Sequence, residues 1–104
     1  MRRPANKMRG EASLSIEDGT FVLRPSFAAL VAAEDELGPL FALVERAAAG
    51  DLKLSELVAL FWHCHVDVGA GLTRAEFSES VAKAGLSATT PALKILLGQI
   101  LSGR

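Results

Sequence analysis

The sequence is poor in the residues that form disulfides and metal sites, and it contains no long hydrophobic run. Its one cysteine, Cys64, cannot form an internal disulfide, which fits a reducing compartment. No stretch approaches the ~18 consecutive apolar residues of a membrane-spanning helix. No apolar segment follows the basic N-terminus as it would in a secretory signal. We therefore expect a cytoplasmic protein that makes no membrane contact.

The composition indicates one folded domain preceded by a basic arm. Of the 104 residues, 50% are hydrophobic and 22% are charged, so the chain can form one hydrophobic core and is not disordered. Arg2, Arg3, Lys7 and Arg9 place four positive charges in the first ten residues, whereas the rest of the chain has 7 basic and 12 acidic residues. We expect residues 1–9 to form a flexible arm and residues 10–104 a single domain. The arm is either a solvated terminus or a contact for nucleic acid or an acidic partner.

The segment after the arm has the pattern of a β-hairpin. Leu14 and Ile16 alternate with polar residues, and Asp18-Gly19 is a dipeptide favoured in type I′ turns. A two-residue loop at Asp18-Gly19 pairs Leu14 with Leu23 and places four apolar side chains on one face. Because an isolated hairpin is only marginally stable in water, we expect this face to pack on helices.

Hydrophobic periodicity predicts five short helices after the hairpin. The fold class is therefore α+β and mostly α, with the hairpin packed on a helical bundle. The third helix is apolar over most of its circumference, so we expect it to be central. The predicted helices run, in order, from Phe27 to Leu37, from Pro39 to Gly50, from a start between Asp51 and Ser55 to a break at Asp67, from Thr73 to about Ala84, and from Thr90-Pro91 to Gly103.

Three polar residues have expected structural roles in these helices. Thr73 and Glu76 have the spacing of a capping box, which marks the start of the fourth helix. Glu34 falls in phase with Phe27 and Val31 on the apolar face of the first helix. Burying a carboxylate without a partner costs several kcal/mol of free energy, so we expect Glu34 to accept hydrogen bonds from a loop or to pair with a basic side chain. A binding role is the alternative for Glu34.

The His63-Cys64-His65 cluster does not have the spacing of a chemical site. Helical residues two apart point about 200° away from each other, so the two imidazoles do not share one metal ion. The same geometry turns both histidines away from the thiol that a nucleophilic mechanism would activate. The sequence also lacks a glycine-rich phosphate loop. We expect no enzyme activity, no metal and no cofactor.

Beyond these features, the sequence resembles a family of small phage-derived proteins. The resemblance rests on Arg9-Gly10-Glu11, the turn at Asp18-Gly19, and the run from Leu23 to Leu30 followed by Glu34 and Gly38. It continues through the helix from Leu54 to Trp62 and the helix start at Gly71-Leu72-Thr73, and covers roughly residues 9 to 101. The family comprises gene-transfer-agent tail assembly proteins, which are grouped with phage tail assembly chaperones and sometimes labelled tail tube proteins. The Trp62 to His65 cluster and the basic arm do not map onto it.

This resemblance implies a protein-binding factor in the bacterial cytoplasm. A tail assembly chaperone keeps the long tape measure protein in solution while tail tube subunits polymerise around it. Such a chaperone needs exposed apolar surface. Phe41, Ala48 and Ile95 lie off the main stripes of their helices and are candidates for it. Core packing or self-association is the alternative for each of the three.

The sequence is also compatible with two other functions. The tail tube protein is the alternative partner to the tape measure protein. A structural tail tube or adaptor subunit would stay in the finished particle, but a tube ring would need more β structure than one hairpin. A nucleic-acid accessory protein would use the basic arm, although the acidic body would repel phosphates.

Overall fold

The computed structural model describes residues 12–16, 19–66 and 73–102 of the chain. The chain is mostly α-helical, as the periodicity predicts. The predicted basic arm, residues 1–9, lies outside the described residues. The elements in chain order are the strands β1 (Ala12–Ile16) and β2 (Gly19–Leu23) and the helices α1 (Phe27–Leu37), α2 (Leu40–Ala48), α3 (Leu54–Cys64), α4 (Arg74–Ala84) and α5 (Leu86–Ser102).

The two strands pair in a register that differs from the predicted one by two residues. Leu14 lies opposite Phe21. Gly19 is the first residue of β2 and lies opposite Ile16 of β1. The predicted loop at Asp18-Gly19 is therefore wrong for Gly19, while Asp18 lies outside the described residues. A shift of two residues leaves every side chain on the same face, so the hydrophobic pattern that guided the prediction does not distinguish the two registers.

The outer edge of β2 is covered by the segment that follows α3. Leu23 forms an antiparallel bridge with His65. The backbone N–H of Arg24 donates to the Cys64 carbonyl at 2.7 Å, and the N–H of Val66 donates to the Val22 carbonyl at 2.8 Å. These bonds satisfy backbone groups that an open strand edge would leave unpaired, and they attach the hairpin to the helical part of the chain.

Short-range caps set the ends of α1 and the start of α3. The Ser26 side chain accepts a hydrogen bond from the N–H of Ala29 at the start of α1, and Gly38 ends that helix with φ of 89°. At α3 the sequence leaves Asp51 and Ser55 as candidate caps, but the N-cap is Lys53. Glu56 Oε1 accepts the Lys53 N–H at 3.0 Å, so the third helical residue supplies the capping contact.

The helix α5 begins earlier than predicted. It starts at Leu86, directly after Gly85, and contains Pro91 in its interior. A proline at the sixth helical position removes one backbone donor, so the sequence favoured a start at Thr90-Pro91. The hydroxyls of Thr89 and Thr90 both donate to the Leu86 carbonyl, at 2.9 and 2.8 Å, and strengthen this first turn.

The hydrophobic core is centred on α3, as expected from its apolar circumference. Six of its residues are buried, including Leu60 and Phe61, which have no exposed surface. Helices α1 and α4 contact α3 directly, whereas α2 lies against α1, and α5 lies against β1 and α4. The other buried hydrophobic residues of the core are Leu23, Ala33, Leu40, Leu43, Phe77, Val81, Ala92 and Leu96.

Candidate functional site

An open apolar groove lies between α1, α2 and the C-terminal part of α5. Its volume is about 240 Å³. Ligand pockets for drug-sized molecules are larger, at about 300–1,000 Å³, so this groove suits one or two side chains of a partner better than a cofactor. The lining residues are Leu30, Glu34, Leu40, Phe41, Val44, Ile100 and Leu101.

The way α1 packs explains why its apolar side chains reach this surface. Ala33 is the buried residue of α1, and Ala29 and Leu37 pack beside it against the core. Phe27 is therefore 85% exposed and Val31 39% exposed, although the sequence placed both on the core-facing stripe. That prediction is wrong because every residue from Phe27 to Ala33 is apolar, so periodicity alone does not fix which face turns inward.

Exposed aromatic and aliphatic side chains surround the groove. Phe41 is 79% exposed on α2, and Leu101 is 61% exposed near the end of α5. Phe27 and Val31 extend the apolar surface along α1, since Phe27 lies three residues before the lining residue Leu30 and Val31 three residues before Glu34. Contiguous apolar surface of this kind commonly marks a site for protein contacts.

Glu34 contributes a carboxylate to the groove and also holds its shape. Its Oε2 accepts the backbone N–H of Leu40 at 3.0 Å. Leu40 is the first residue of α2, whose N-cap Pro39 makes no side-chain cap hydrogen bond. The carboxylate therefore accepts a hydrogen bond from a backbone N–H that has no partner within α2. Its negative charge also interacts favourably with the positive end of the helix dipole. Glu34 fixes α2 against α1 while remaining exposed.

The structure separates the three predicted partner-binding residues. Phe41 lines the groove. Ala48 is exposed and lies seven residues beyond Phe41, on the same face of α2. Ile95 is 44% exposed, but it lies five residues before Ile100 and therefore faces another direction on α5. Phe27, which the sequence placed on the core-facing stripe of the first helix, and Leu101 are two further exposed residues of this surface.

The His63-Cys64-His65 side chains turn toward three different environments. His63 Nε2 lies 2.8 Å from Glu36 Oε1. Cys64 is buried, and burial raises the pKa of its thiol to about 12. His65 Nδ1 lies 2.5 Å from the Trp62 carbonyl, and since a carbonyl can only accept, this nitrogen carries the proton. The His65 ring also stacks on Phe77, with 5.3 Å between the ring centroids.

Glu36 joins three helices in one ion cluster. Arg74 donates to both of its carboxylate oxygens, at 2.9 and 2.5 Å, and so links α4 to α1. His63 of α3 approaches the same carboxylate. The hydrogen bonds from Arg74 and then from His63 lower the pKa of Glu36 to about 2. This cluster stabilises the arrangement of the helices and lies outside the groove lining.

The predicted capping residues of α4 make both contacts of a capping box. Thr73 Oγ1 accepts the N–H of Glu76 at 3.1 Å, and Glu76 Oε1 accepts the N–H of Thr73 at 3.0 Å. Thr73 and Glu76 therefore have the capping role that the sequence predicts, and this role involves no partner or ligand.

A second, smaller apolar groove lies at the opposite end of α5. It has a volume of about 150 Å³ and is lined in part by Leu54, Leu86 and Leu93. Leu86 and Leu101 are fifteen residues apart on α5, a separation of about 22 Å along a helix. The two grooves are therefore distinct surfaces, and variants can be made in one without touching the other.

A family profile described as "Phage tail tube protein, GTA-gp10" matches residues 9–103. The match agrees with the resemblance to gene-transfer-agent and phage tail proteins, and its description names a tail tube protein rather than an assembly chaperone. No curated protein and no solved structure matches the chain. Within the part of the chain that the structure describes, no helix is both long enough and apolar enough to cross a bilayer.

Proposed function

The chain belongs to the family of the phage tail tube protein GTA-gp10, and on this premise we propose that it acts in phage-like tail morphogenesis by binding other tail proteins. The contact surface is the groove between α1, α2 and α5. The action is one of binding, without catalysis, and takes place in the bacterial cytoplasm where tails assemble.

The observation that carries this proposal is the exposure of large apolar side chains around the groove. Phe27 and Phe41 are more than three-quarters exposed, although each could bury a large apolar area against a partner. Aromatic residues are enriched at the centres of protein interfaces because they contribute much of the binding free energy. The groove therefore has the chemistry of a protein contact.

The role that we place first is that of a tail tube or adaptor subunit retained in the finished particle. The description of the family supports this role directly. A subunit of this kind contacts neighbouring tail proteins or further copies of itself, and the exposed surface around Phe41 offers one such contact. The ring contacts of a tube would then come from helices, because the described sheet has only two strands.

The second role is that of an assembly chaperone for the tape measure protein. The predominance of helices favours it, since an open groove between helices accepts an amphipathic helix of a partner. A chaperone releases its partner when tube subunits take over, so its contact has to be reversible. An apolar groove with few polar anchors fits that requirement.

Mass spectrometry of purified particles separates the two roles. A retained subunit should be present in a fixed ratio to the tube protein, whereas a chaperone should be absent from particles although its deletion stops tail formation. Co-expression with the tape measure protein completes the test, because a chaperone should increase its soluble fraction. Normal particle yield after deletion would contradict both roles.

A further inference from the structure

We propose that the groove between α1, α2 and α5 binds a helical segment of a partner that carries a lysine or arginine beside its apolar stripe, and that this cation pairs with Glu34. The inference names the kind of partner for the proposed protein-binding function and rests on that function. Its grounds are the shape of the groove, the position of the carboxylate and the charge of the surrounding surface.

The dimensions of the surface fit about two turns of a helix. Phe27 and Glu34 are seven residues apart on α1, which corresponds to about 10 Å. A docked helix covers this length with residues at positions i, i+3 or i+4, and i+7, the usual anchors of an amphipathic helix in a groove. The volume of about 240 Å³ has room for the apolar side chains at the middle of that stripe.

Glu34 places negative charge at the edge of this apolar surface. It is the charged member among the described residues that line the groove. One carboxylate oxygen accepts the Leu40 N–H, and the side chain is exposed. A cation from a partner would pair with a carboxylate that is already held in position, so little side-chain entropy is lost on binding.

The surroundings add to this negative potential. Glu45 is exposed on α2, four residues from Phe41 and therefore on the same side of that helix. The nearby Arg46 is directed to α3, where its Nη1 lies 2.7 Å from Glu56. Residues 11–104 contain 7 basic and 12 acidic residues, so the body as a whole attracts a basic segment and repels an acidic one.

A pair of synthetic peptides of identical composition tests the inference. Both are 18-residue amphipathic helices with one leucine stripe. In the first, a lysine flanks the stripe at its centre, and in the second the same lysine lies on the opposite face. Fluorescence anisotropy with the full-length protein should show the first peptide binding about three- to fivefold more tightly, the range of a partly exposed ion pair.

Variants of the protein assign this preference to Glu34. In Glu34→Gln the amide oxygen can still accept the Leu40 N–H, so the fold is kept while the preference between the two peptides should disappear. Glu79→Gln removes a carboxylate from a groove between α3 and α4 and should leave the preference unchanged. Phe41→Ser should weaken the binding of both peptides. Leu86→Ser, in the second groove, should weaken the binding of neither.

Each contrary outcome identifies what is wrong. Equal binding of the two peptides, binding of neither, or a preference that persists in Glu34→Gln overturns the basic-anchor inference, while the particle experiments still decide the proposed function. If sedimentation shows a dimer that Phe41→Ser dissociates, a second copy occupies the groove and the inference is overturned as well. Peptide binding unaffected by Phe41→Ser places the contact elsewhere on the molecule and overturns the groove assignment.

Discussion

Cys64 shows how position in the fold decides the chemistry of a single residue. The side chain is 2% exposed, and burial raises the pKa of its thiol to about 12. Since the thiolate is the reactive form, we expect iodoacetamide at pH 8 to alkylate the folded protein at least about a hundredfold more slowly than the urea-unfolded protein. N-acetylcysteine in the same two buffers controls for the effect of urea. Equal rates in both states would contradict a buried, protonated thiol.

Glu36 makes the stability of the fold depend on pH. Its pKa falls from an ordinary 4.5 to about 2 because it accepts hydrogen bonds from Arg74 and His63. A carboxylate whose pKa is lower in the folded than in the unfolded state stabilises the fold fully at pH values above its unfolded-state pKa. This contribution is lost as the pH falls through the folded-state pKa. The contribution of Glu36 should therefore be complete at pH 7 and should disappear between pH 4.5 and about 2.

The variant Glu36→Gln tests this dependence. The Glu36 side chain is 39% exposed, so solvent screens the ion pairs, and we expect the free energy of unfolding to fall by about 1 kcal/mol at pH 7. Urea titrations from pH 7 to pH 3 should show that the difference in free energy of unfolding between wild type and variant becomes smaller below pH 4.5. Asp35→Asn, a neighbouring exposed acid, should change the free energy of unfolding by less than about 0.5 kcal/mol. A gap that stays constant with pH would exclude titration of Glu36 as its source.

Among the helices, α4 is the one whose start depends most clearly on side-chain caps. Thr73→Ala removes the acceptor for the Glu76 N–H and should lower the free energy of unfolding by about 1 kcal/mol. Thr73→Ser keeps a hydroxyl at the same position and should retain most of the stability. Urea unfolding should show a lower midpoint for the alanine variant with an unchanged slope. Equal midpoints for the two variants would mean that the capping box contributes little.

The elements that the sequence predicts well are those with local signals at their ends. The helix α4 has a capping box at Thr73 and a glycine at Gly85, and the structure places both ends accordingly. The start of α3 is set by Glu56 reaching back to Lys53, although Asp51 and Ser55 are the better capping residues by type. Capping preference describes single residues, whereas the observed cap depends on which carboxylate can reach the free N–H.

Two other elements depend on interactions that local patterns do not contain. The alternation of apolar and polar residues does not determine the register of the hairpin, because a shift of two residues keeps the same residues on the same face of the sheet. The first turn of α5 precedes Pro91, a residue that usually stands at a helix start. There the hydroxyls of Thr89 and Thr90 bond to the Leu86 carbonyl, and Thr89 is buried, so side-chain contacts support a turn that propensity does not favour.

For the whole molecule, the sequence predicted the acidic body but not the position of the groove. Charge is a sum over residues and needs no structure. The groove depends on the rotation of α1, and seven consecutive apolar residues leave that rotation undetermined. Packing of α1 through Ala33 resolves it and turns Phe27 outward. Phe41 could be singled out because it lies off the stripe of the more polar α2, where the inward face is unambiguous.

Two phenylalanines of the same chain separate stability from function. Phe77 has no exposed surface and packs against Phe21 and Trp62, so Phe77→Ala should lower the free energy of unfolding by about 3–5 kcal/mol. Phe41 is 79% exposed, so Phe41→Ala should change that free energy by less than about 0.5 kcal/mol. If the groove binds tail proteins, however, Phe41→Ala should fail to restore particle production in a deletion strain despite normal protein levels. Full restoration by Phe41→Ala would show that tail assembly does not use this surface, and a large loss of stability would show that Phe41 belongs to the core.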